Sequence, residues 1–184
     1  MPVDPSALVT WANGVTVGRM LVSPVLFVVV PQDNRGSWLA AWLWFFLCWS
    51  DVLDGWLARR HGTTTLGAFL DPLSDKVLVL GAMFTLVSRD MFPVWPVVVI
   101  AAREVAVQVY RVVVGARGVS WPASRMAKVK TLAQQCAVGF ALAPFSAADA
   151  TWTWGWLLGL AVALTIASGL QYAVRALRPR RAAA

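Results

Sequence analysis

Apolar stretches long enough to cross a bilayer follow one another along most of this chain, joined by short polar connections, and that pattern leaves little freedom of architecture. A spanning helix needs about 20 mostly apolar residues, so the length accommodates about six spans with short connections and no separate soluble domain. The composition agrees: 59% of the 184 residues are hydrophobic and 14% charged, with a positive mean hydropathy that an ordinary soluble domain does not show. The expected fold is all-α, an integral membrane bundle of about six transmembrane helices forming a single domain over residues 1–184. The spans are expected near Gly14–Val30, Ser37–Arg60, Leu66–Val87, Met91–Val114, Ala127–Ala143 and Trp152–Leu177. Pro2–Trp11 lacks the basic region and cleavage site of a secretory signal and reads as a short interfacial helix. A basic tail is expected from about residue 178.

Charge placement predicts orientation. Of the net charge of +7, the basic residues concentrate around Arg59 and Arg60, from Arg111 to Lys130, and from Arg175 to Arg181. These fall at every second connection and at the C-terminus, whereas the intervening loops carry only Arg35 and Arg89. The positive-inside rule then puts the basic side in the cytoplasm, as expected of a multi-pass protein of the cell (inner) membrane. Most of the 11 tryptophans, among them Trp38, Trp42, Trp44, Trp49, Trp95, Trp152, Trp154 and Trp156, lie near predicted span ends and read as an interfacial belt. Cys48 and Cys136 have neither disulfide nor metal-site spacing and read as small core residues.

Against this apolar background stand four aspartates, Asp51, Asp54, Asp71 and Asp75. A carboxylate at bilayer depth costs roughly 2.5 to 3.5 kcal/mol, so four left unpaired would cost on the order of 10 kcal/mol. Hard divalent cations offset that cost most directly, because they prefer clustered oxygen ligands. The spacing supports clustering. Asp51, Asp54, Gly55, Ala58 and Arg59 share one helical face of the second span, and Gly67, Asp71 and Asp75 share one face of the third. The short connection between the two spans makes them antiparallel neighbours, so the acidic stripes can converge near the basic surface. The competing reading is an internal salt-bridge set with Arg59, Lys76 or Arg103; for Gly55, Ala58 and Gly67 it is plain helix packing.

A second group is basic. Arg103 lies inside an apolar span, where arginine is costly and faces the bundle interior toward a ligand or a partner such as Glu104. Arg111 lies two turns further along the same helix, and Lys128 and Lys130 open the fifth span. These cations are what a phosphorylated ligand needs, since a phosphomonoester is held by several charge-assisted hydrogen bonds. Lys128 and Lys130 also fit the role of plain topology markers. His61, the only histidine, reads as solvated in a short loop.

The run Asp51-Val-Leu-Asp54-Gly55-Trp-Leu-Ala58-Arg59, followed by Gly67-Ala-Phe-Leu-Asp71-Pro-Leu-Ser-Asp75, resembles the signature of the CDP-alcohol phosphatidyltransferases, D-x-x-D-G-x-x-A-R, spacer, G-x-x-x-D-x-x-x-D. The spacer between Arg59 and Gly67 holds seven residues, where the usual pattern has eight. Asn13-Gly-Val-Thr16-Val-Gly-Arg19, Pro24, Ala102-Arg103-Glu104, Lys128-Val-Lys130-Thr131 and Leu170-Gln171-Tyr172 resemble the branch of the family whose acceptor is sn-glycerol 3-phosphate.

The resemblance implies a membrane transferase of phospholipid biosynthesis, working on CDP-diacylglycerol in the bilayer as a homodimer, with no nucleic-acid partner. It implies that Asp51, Asp54, Asp71 and Asp75 hold two Mg2+ or Mn2+ ions and that Asp75 is the general base. Asn13, Thr16, Gly55, Ala58, Arg59 and Gly67 are then expected at CDP-diacylglycerol, and Arg103, Arg111, Lys128 and Lys130 at the acceptor phosphate. Other acceptors remain open at this point: phosphatidylglycerol as in a cardiolipin synthase, inositol phosphate, inositol or serine. So does a different class, an ion- or proton-coupled transporter, although its carboxylates would step across the bilayer instead of clustering at one depth.

Overall fold

A computed structural model describes residues 11–61, 65–115, 125–147 and 149–177, with side chains described for 14–53, 72–114, 126–147 and 149–174. These residues form seven α-helices and no strand: α1 (Trp11–Val29), α2 (Trp38–His61), α3 (Thr65–Ser88), α4 (Val94–Gly115), α5 (Arg125–Leu142), the single turn α6 (Pro144–Ala147) and α7 (Thr151–Leu177). The six long helices fall within a few residues of the expected spans. The short α6, between α5 and α7, was not expected. The interfacial helix expected at Pro2–Trp11 and the basic tail lie almost wholly outside the described residues.

The α3–α4 junction shows why α3 stops where it does. Asp90 takes a left-handed conformation (φ 54°), its amide donates to the Val87 carbonyl at 3.0 Å, and the Met91 amide donates to the Leu86 carbonyl at 2.9 Å. This is a Schellman cap, sealed by burial of Met91 and Leu86. At the α1–α2 connection Gly36 has φ 69°, and a Cβ there would stand 2.6 Å from the Leu142 carbonyl oxygen. Only glycine permits both the left-handed backbone and that approach, which lets the Ser37 amide donate to Leu142 at 2.8 Å.

Helix α5 lies along α7, α1 packs on α2 and α3, and α4 on α7. Leu26, Leu78, Met83, Leu86, Val97, Ile100 and Val138 are fully buried between them. The connections after α1, α3 and α5 gather at one end, where Trp38 meets Phe145 with ring centroids 6.0 Å apart and Phe92 meets Trp154 at 5.2 Å. Short connections make successive helices antiparallel, so the C-terminal ends of α2 and α4 and the N-terminal ends of α3 and α5 share the opposite end.

Large apolar side chains cover the outside: Leu21 is 73% exposed, Val28 80%, Phe46 60% and Trp156 76%. An apolar surface this extensive is foreign to a soluble monomer and marks a membrane-associated protein. Among the described residues, Thr151–Val174 is the one stretch long and apolar enough by itself to cross a bilayer, with shorter apolar helices at Gly14–Val29 and Trp38–Leu53.

Two sequence expectations need correction. Trp44 does not belong to an interfacial belt: it is buried at 4% exposure, and its indole Nε1 donates to the Gln135 carbonyl at 3.0 Å, joining α2 to α5. Buried tryptophan places its N–H on a partner in this way because an unmet donor in an apolar interior is costly. Cys48 and Cys136 are free thiols, as expected; Cys48 packs against the core, but both are only partly buried and line a groove.

Candidate active site

Helices α2 to α5 and α7 enclose a polar cavity of about 500 Å³. Asp51 enters it from α2, Asp75 and Lys76 from α3, Arg103, Glu104 and Arg111 from α4, Lys128 and Lys130 from α5, and Tyr172 from α7. Six of the residues singled out from sequence, Asp51, Asp75, Arg103, Arg111, Lys128 and Lys130, therefore share one cavity. It lies toward the end of the bundle where α4 finishes and α5 begins, which is the basic end of the sequence.

On the acidic side, Asp51 from α2 and Asp75 from α3 face the same space, and among the described residues α1 and α5, each packed on both helices, hold α2 and α3 about it; the direct pairing of α2 with α3 expected from their short connection is not among the packed helix pairs. Asp54 and Asp71 belong to those helices, one turn from Asp51 and Asp75, with side chains outside those described. The same holds for Asn13, Gly55, Ala58, Arg59 and Gly67. Thr16 is fully buried on α1 and is not among the cavity-lining residues. Among the described residues no group of three or more metal-ligating side chains is assembled. The two aspartates that face the cavity, Asp51 from α2 and Asp75 from α3, are nonetheless carboxylate donors of the type that magnesium, manganese and calcium take.

Asp51 also has a partner that the sequence reading missed. Arg19 of α1, buried at 3% exposure, donates through Nη1 to Asp51 Oδ1 and through Nη2 to Ser74 Oγ at 2.7 Å. Arg19 was noticed only as part of the family-like segment on α1. The signal available was its position in an apolar span, the same argument applied to Arg103.

The basic side is organised around one carboxylate. Glu104, 3% exposed, accepts from Lys130 Nζ and from Arg103 Nη1 at 3.2 Å on Oε1, and meets Lys76 Nζ at 2.6 Å on Oε2. The Arg103 guanidinium also lies 5.5 Å above the Tyr172 ring, a cation–π contact that fixes its plane. Its Nε and Nη2 are buried without a hydrogen-bond partner among the described residues. Lys76 and Glu104 were weighed in the sequence only as alternative salt-bridge partners; in the structure they hold each other, and Glu104 also holds Arg103.

An apolar groove of about 420 Å³ runs between α2 and α5, lined by Phe45, Cys48, Cys136 and Phe140 among others. It shares Leu132 and Gln135 with the polar cavity, so the two spaces adjoin across these side chains.

A polar cavity pairing carboxylates with a cationic set, beside an apolar groove in a membrane-associated helical bundle, suits an enzyme acting on a phosphorylated lipid. Residues 9–167 match the CDP-alcohol phosphatidyltransferases, and the chain belongs to that family. Its relatives narrow the comparison. A Bacillus subtilis protein named CDP-diacylglycerol–glycerol-3-phosphate 3-phosphatidyltransferase is 33% identical over 87% of this chain and 91% of its own length. One of the same name from Pseudomonas fluorescens is 37% identical over 86% of this chain and 82% of its own length. A Mycobacterium tuberculosis protein named "probable phosphatidylglycerophosphate synthase" is 36% identical over 91% of this chain and 81% of its own length.

Proposed function

We propose that this chain transfers the phosphatidyl group of CDP-diacylglycerol to the primary hydroxyl of sn-glycerol 3-phosphate, releasing CMP and leaving phosphatidylglycerophosphate in the membrane. The observation that carries the reading is the one cavity lined by Asp51 and Asp75 together with Arg103, Lys128 and Lys130. The carboxylates suit the divalent ions that would accompany the donor's pyrophosphate, and the cations suit the phosphomonoester of the acceptor. The names of the relatives supply the two substrates.

The reaction is a substitution at the phosphorus that carries the diacylglycerol. The acceptor oxygen forms a bond to that phosphorus, the phosphorus–oxygen bond to CMP breaks, and the hydroxyl proton passes to a base. Asp75 is that base, beside the cavity and on the same helix as Lys76. Asp51, Asp54, Asp71 and Asp75 are the residues that would hold two Mg2+ or Mn2+ ions, which neutralise the pyrophosphate and assist departure of CMP. Asn13, Thr16, Gly55, Ala58, Arg59 and Gly67 receive the cytidine diphosphate part, as the family signature implies. Arg103, Arg111, Lys128 and Lys130 bind the acceptor phosphate by charge-assisted hydrogen bonds.

The substrates also explain the site's position. The donor's acyl chains belong in lipid while the acceptor is a water-soluble dianion, so the site must open to both phases. The apolar groove that adjoins the cavity at Leu132 and Gln135 offers the acyl chains an apolar surface beside the site. In this reading α1 to α5 and α7 are the six spans of a multi-pass protein of the cell (inner) membrane, and the basic end bearing Arg111 and Lys128 faces the cytoplasm.

The test is CMP release by the purified protein from CDP-diacylglycerol, with each of glycerol 3-phosphate, phosphatidylglycerol, inositol phosphate, inositol and serine as acceptor. Turnover dependent on glycerol 3-phosphate and abolished by chelation supports the reading. Turnover with another acceptor alone, or turnover untouched by exhaustive chelation, refutes it.

A further inference from the structure

Glu104 is the most heavily committed side chain in the cavity, and no role in the reaction as described so far calls for it. A carboxylate placed in a site that must bind an anion works against binding unless it does something else. Its contacts say what. Both oxygens are occupied by cations from three helices, Lys76 of α3, Arg103 of α4 itself and Lys130 of α5. Lys130 is 2% exposed and Glu104 3% exposed, so the geometry of the group is set by the protein and not by solvent. Three cations around one carboxylate leave this cluster with a surplus of positive charge, the sign that an anionic acceptor requires.

Without Glu104, the ammonium groups of Lys76 and Lys130 and the Arg103 guanidinium would repel one another in a space where water screens poorly. They would splay apart, and a small dianion could no longer engage them together. With it, Arg103 spends only Nη1 on Glu104, and Nε and Nη2 keep donor capacity that no described residue uses. Lys76 matters for a second reason: it follows Asp75 directly on α3. Holding Lys76 to Glu104 ties the helix of the proposed base to the basic wall and so sets the distance between the acceptor's phosphate and its reacting hydroxyl.

We infer that Glu104 is the positioning residue of the acceptor subsite: it gathers Lys76, Arg103 and Lys130 into one cradle whose net charge and spacing select a phosphomonoester dianion over a neutral acceptor. The inference rests on the transferase reading above and adds two residues to it, Glu104 as organiser and Lys76 as a phosphate-binding cation.

The experiment measures CMP release by the full chain in detergent–phospholipid micelles, varying glycerol 3-phosphate and CDP-diacylglycerol separately. Wild type is assayed first, and if it fails to use glycerol 3-phosphate, the transferase reading itself is refuted. With wild type active, Glu104→Gln, which keeps the shape and loses the charge, is expected to raise the KM for glycerol 3-phosphate by about tenfold or more and to weaken inhibition by inorganic phosphate in parallel. The KM for CDP-diacylglycerol should stay within about twofold. Glu104→Asp keeps the charge one methylene short and should raise the acceptor KM by only about two- to fivefold. An unchanged acceptor KM in Glu104→Gln overturns the inference, as does an equal loss in donor and acceptor parameters with Gln and Asp alike. Should Glu104→Gln not be recovered folded, Glu104→Asp decides. A rise confined to the acceptor supports the inference, and no rise, or a rise shared by the donor, overturns it.

Discussion

Arg19 on α1 and Asp51 on α2 form an ion pair whose cationic half is buried, and the same guanidinium reaches Ser74 on α3 at 2.7 Å. One side chain thus ties three helices together at the edge of the carboxylate group. Asp51 is the more open partner, with 37% of its side chain exposed toward the cavity. Arg19 occupies Oδ1 and holds the carboxylate in one orientation, as an outer residue would fix a carboxylate proposed to hold a metal ion.

Replacing Arg19 by Met should therefore destabilise the fold and impair the site together. Removing one half of a buried pair costs about 3 to 5 kcal/mol, because the remaining charge loses its compensation. Asp51, the charge left behind, is partly exposed and screened by solvent, which brings the expected loss down to about 1 to 2 kcal/mol. Thermal unfolding in detergent measures the stability, and the divalent-ion concentration for half-maximal CMP release should rise in the same variant.

Asp75→Asn should reduce CMP release by about 100-fold or more, in the range associated with a lost general base. CDP-diacylglycerol binding should remain measurable, because the acidic residues on α2 are intact. Equilibrium binding of a labelled donor beside a turnover assay checks both halves. Near-normal turnover excludes Asp75 as the base.

Lys128 and Lys130 should not behave alike. Lys130 is buried against Glu104, whereas Lys128 is exposed at the mouth of the cavity. Charge-assisted hydrogen bonds contribute about 1.5 to 3 kcal/mol when desolvated, so Lys130→Ala should raise the KM for glycerol 3-phosphate by about 10-fold or more. An exposed cation contributes about 0 to 1 kcal/mol, so Lys128→Ala should raise it by less than about fivefold. Steady-state kinetics at saturating donor distinguishes them.

Trp44→Phe removes the donor to the Gln135 carbonyl while keeping an aromatic ring between α2 and α5. The expected effect is a loss of about 1 kcal/mol of stability with the KM for glycerol 3-phosphate unchanged. Denaturation of the detergent-solubilised variant, paired with the transfer assay, measures the two quantities.

How far these features could be read from the residues follows from the forces behind them. Helix positions emerged within a few residues because apolar length, which a bilayer demands, is written locally along the chain. The one-turn α6 was missed because Pro144–Ala147 carries no periodicity of its own. Arg103, Lys128 and Lys130 stood out because charge in or beside an apolar span must be accounted for. What escaped were pairings that depend on how helices rotate against each other. Nothing near Arg19 points to Asp51, and nothing near Lys76 favours Glu104 over the adjacent Asp75. Trp44 was missed for the same reason, since an indole near a span end can face lipid or protein, and only the packing of α2 on α5 turns it inward.

The central claim is that the acidic residues of α2 and α3 and the cationic cradle of α3, α4 and α5 serve a single reaction in one cavity. The most direct measurement is the 31P relaxation of glycerol 3-phosphate in the presence of the protein, a CDP-diacylglycerol analogue that cannot react, and Mn2+. The account predicts strong paramagnetic relaxation of the acceptor phosphorus, lost on Lys130→Ala, which empties the acceptor subsite, and on Asp75→Asn, which weakens the ion site. Glycerol 3-phosphate that binds and is turned over by the enzyme, yet shows no enhancement with Mn2+ bound, would contradict it.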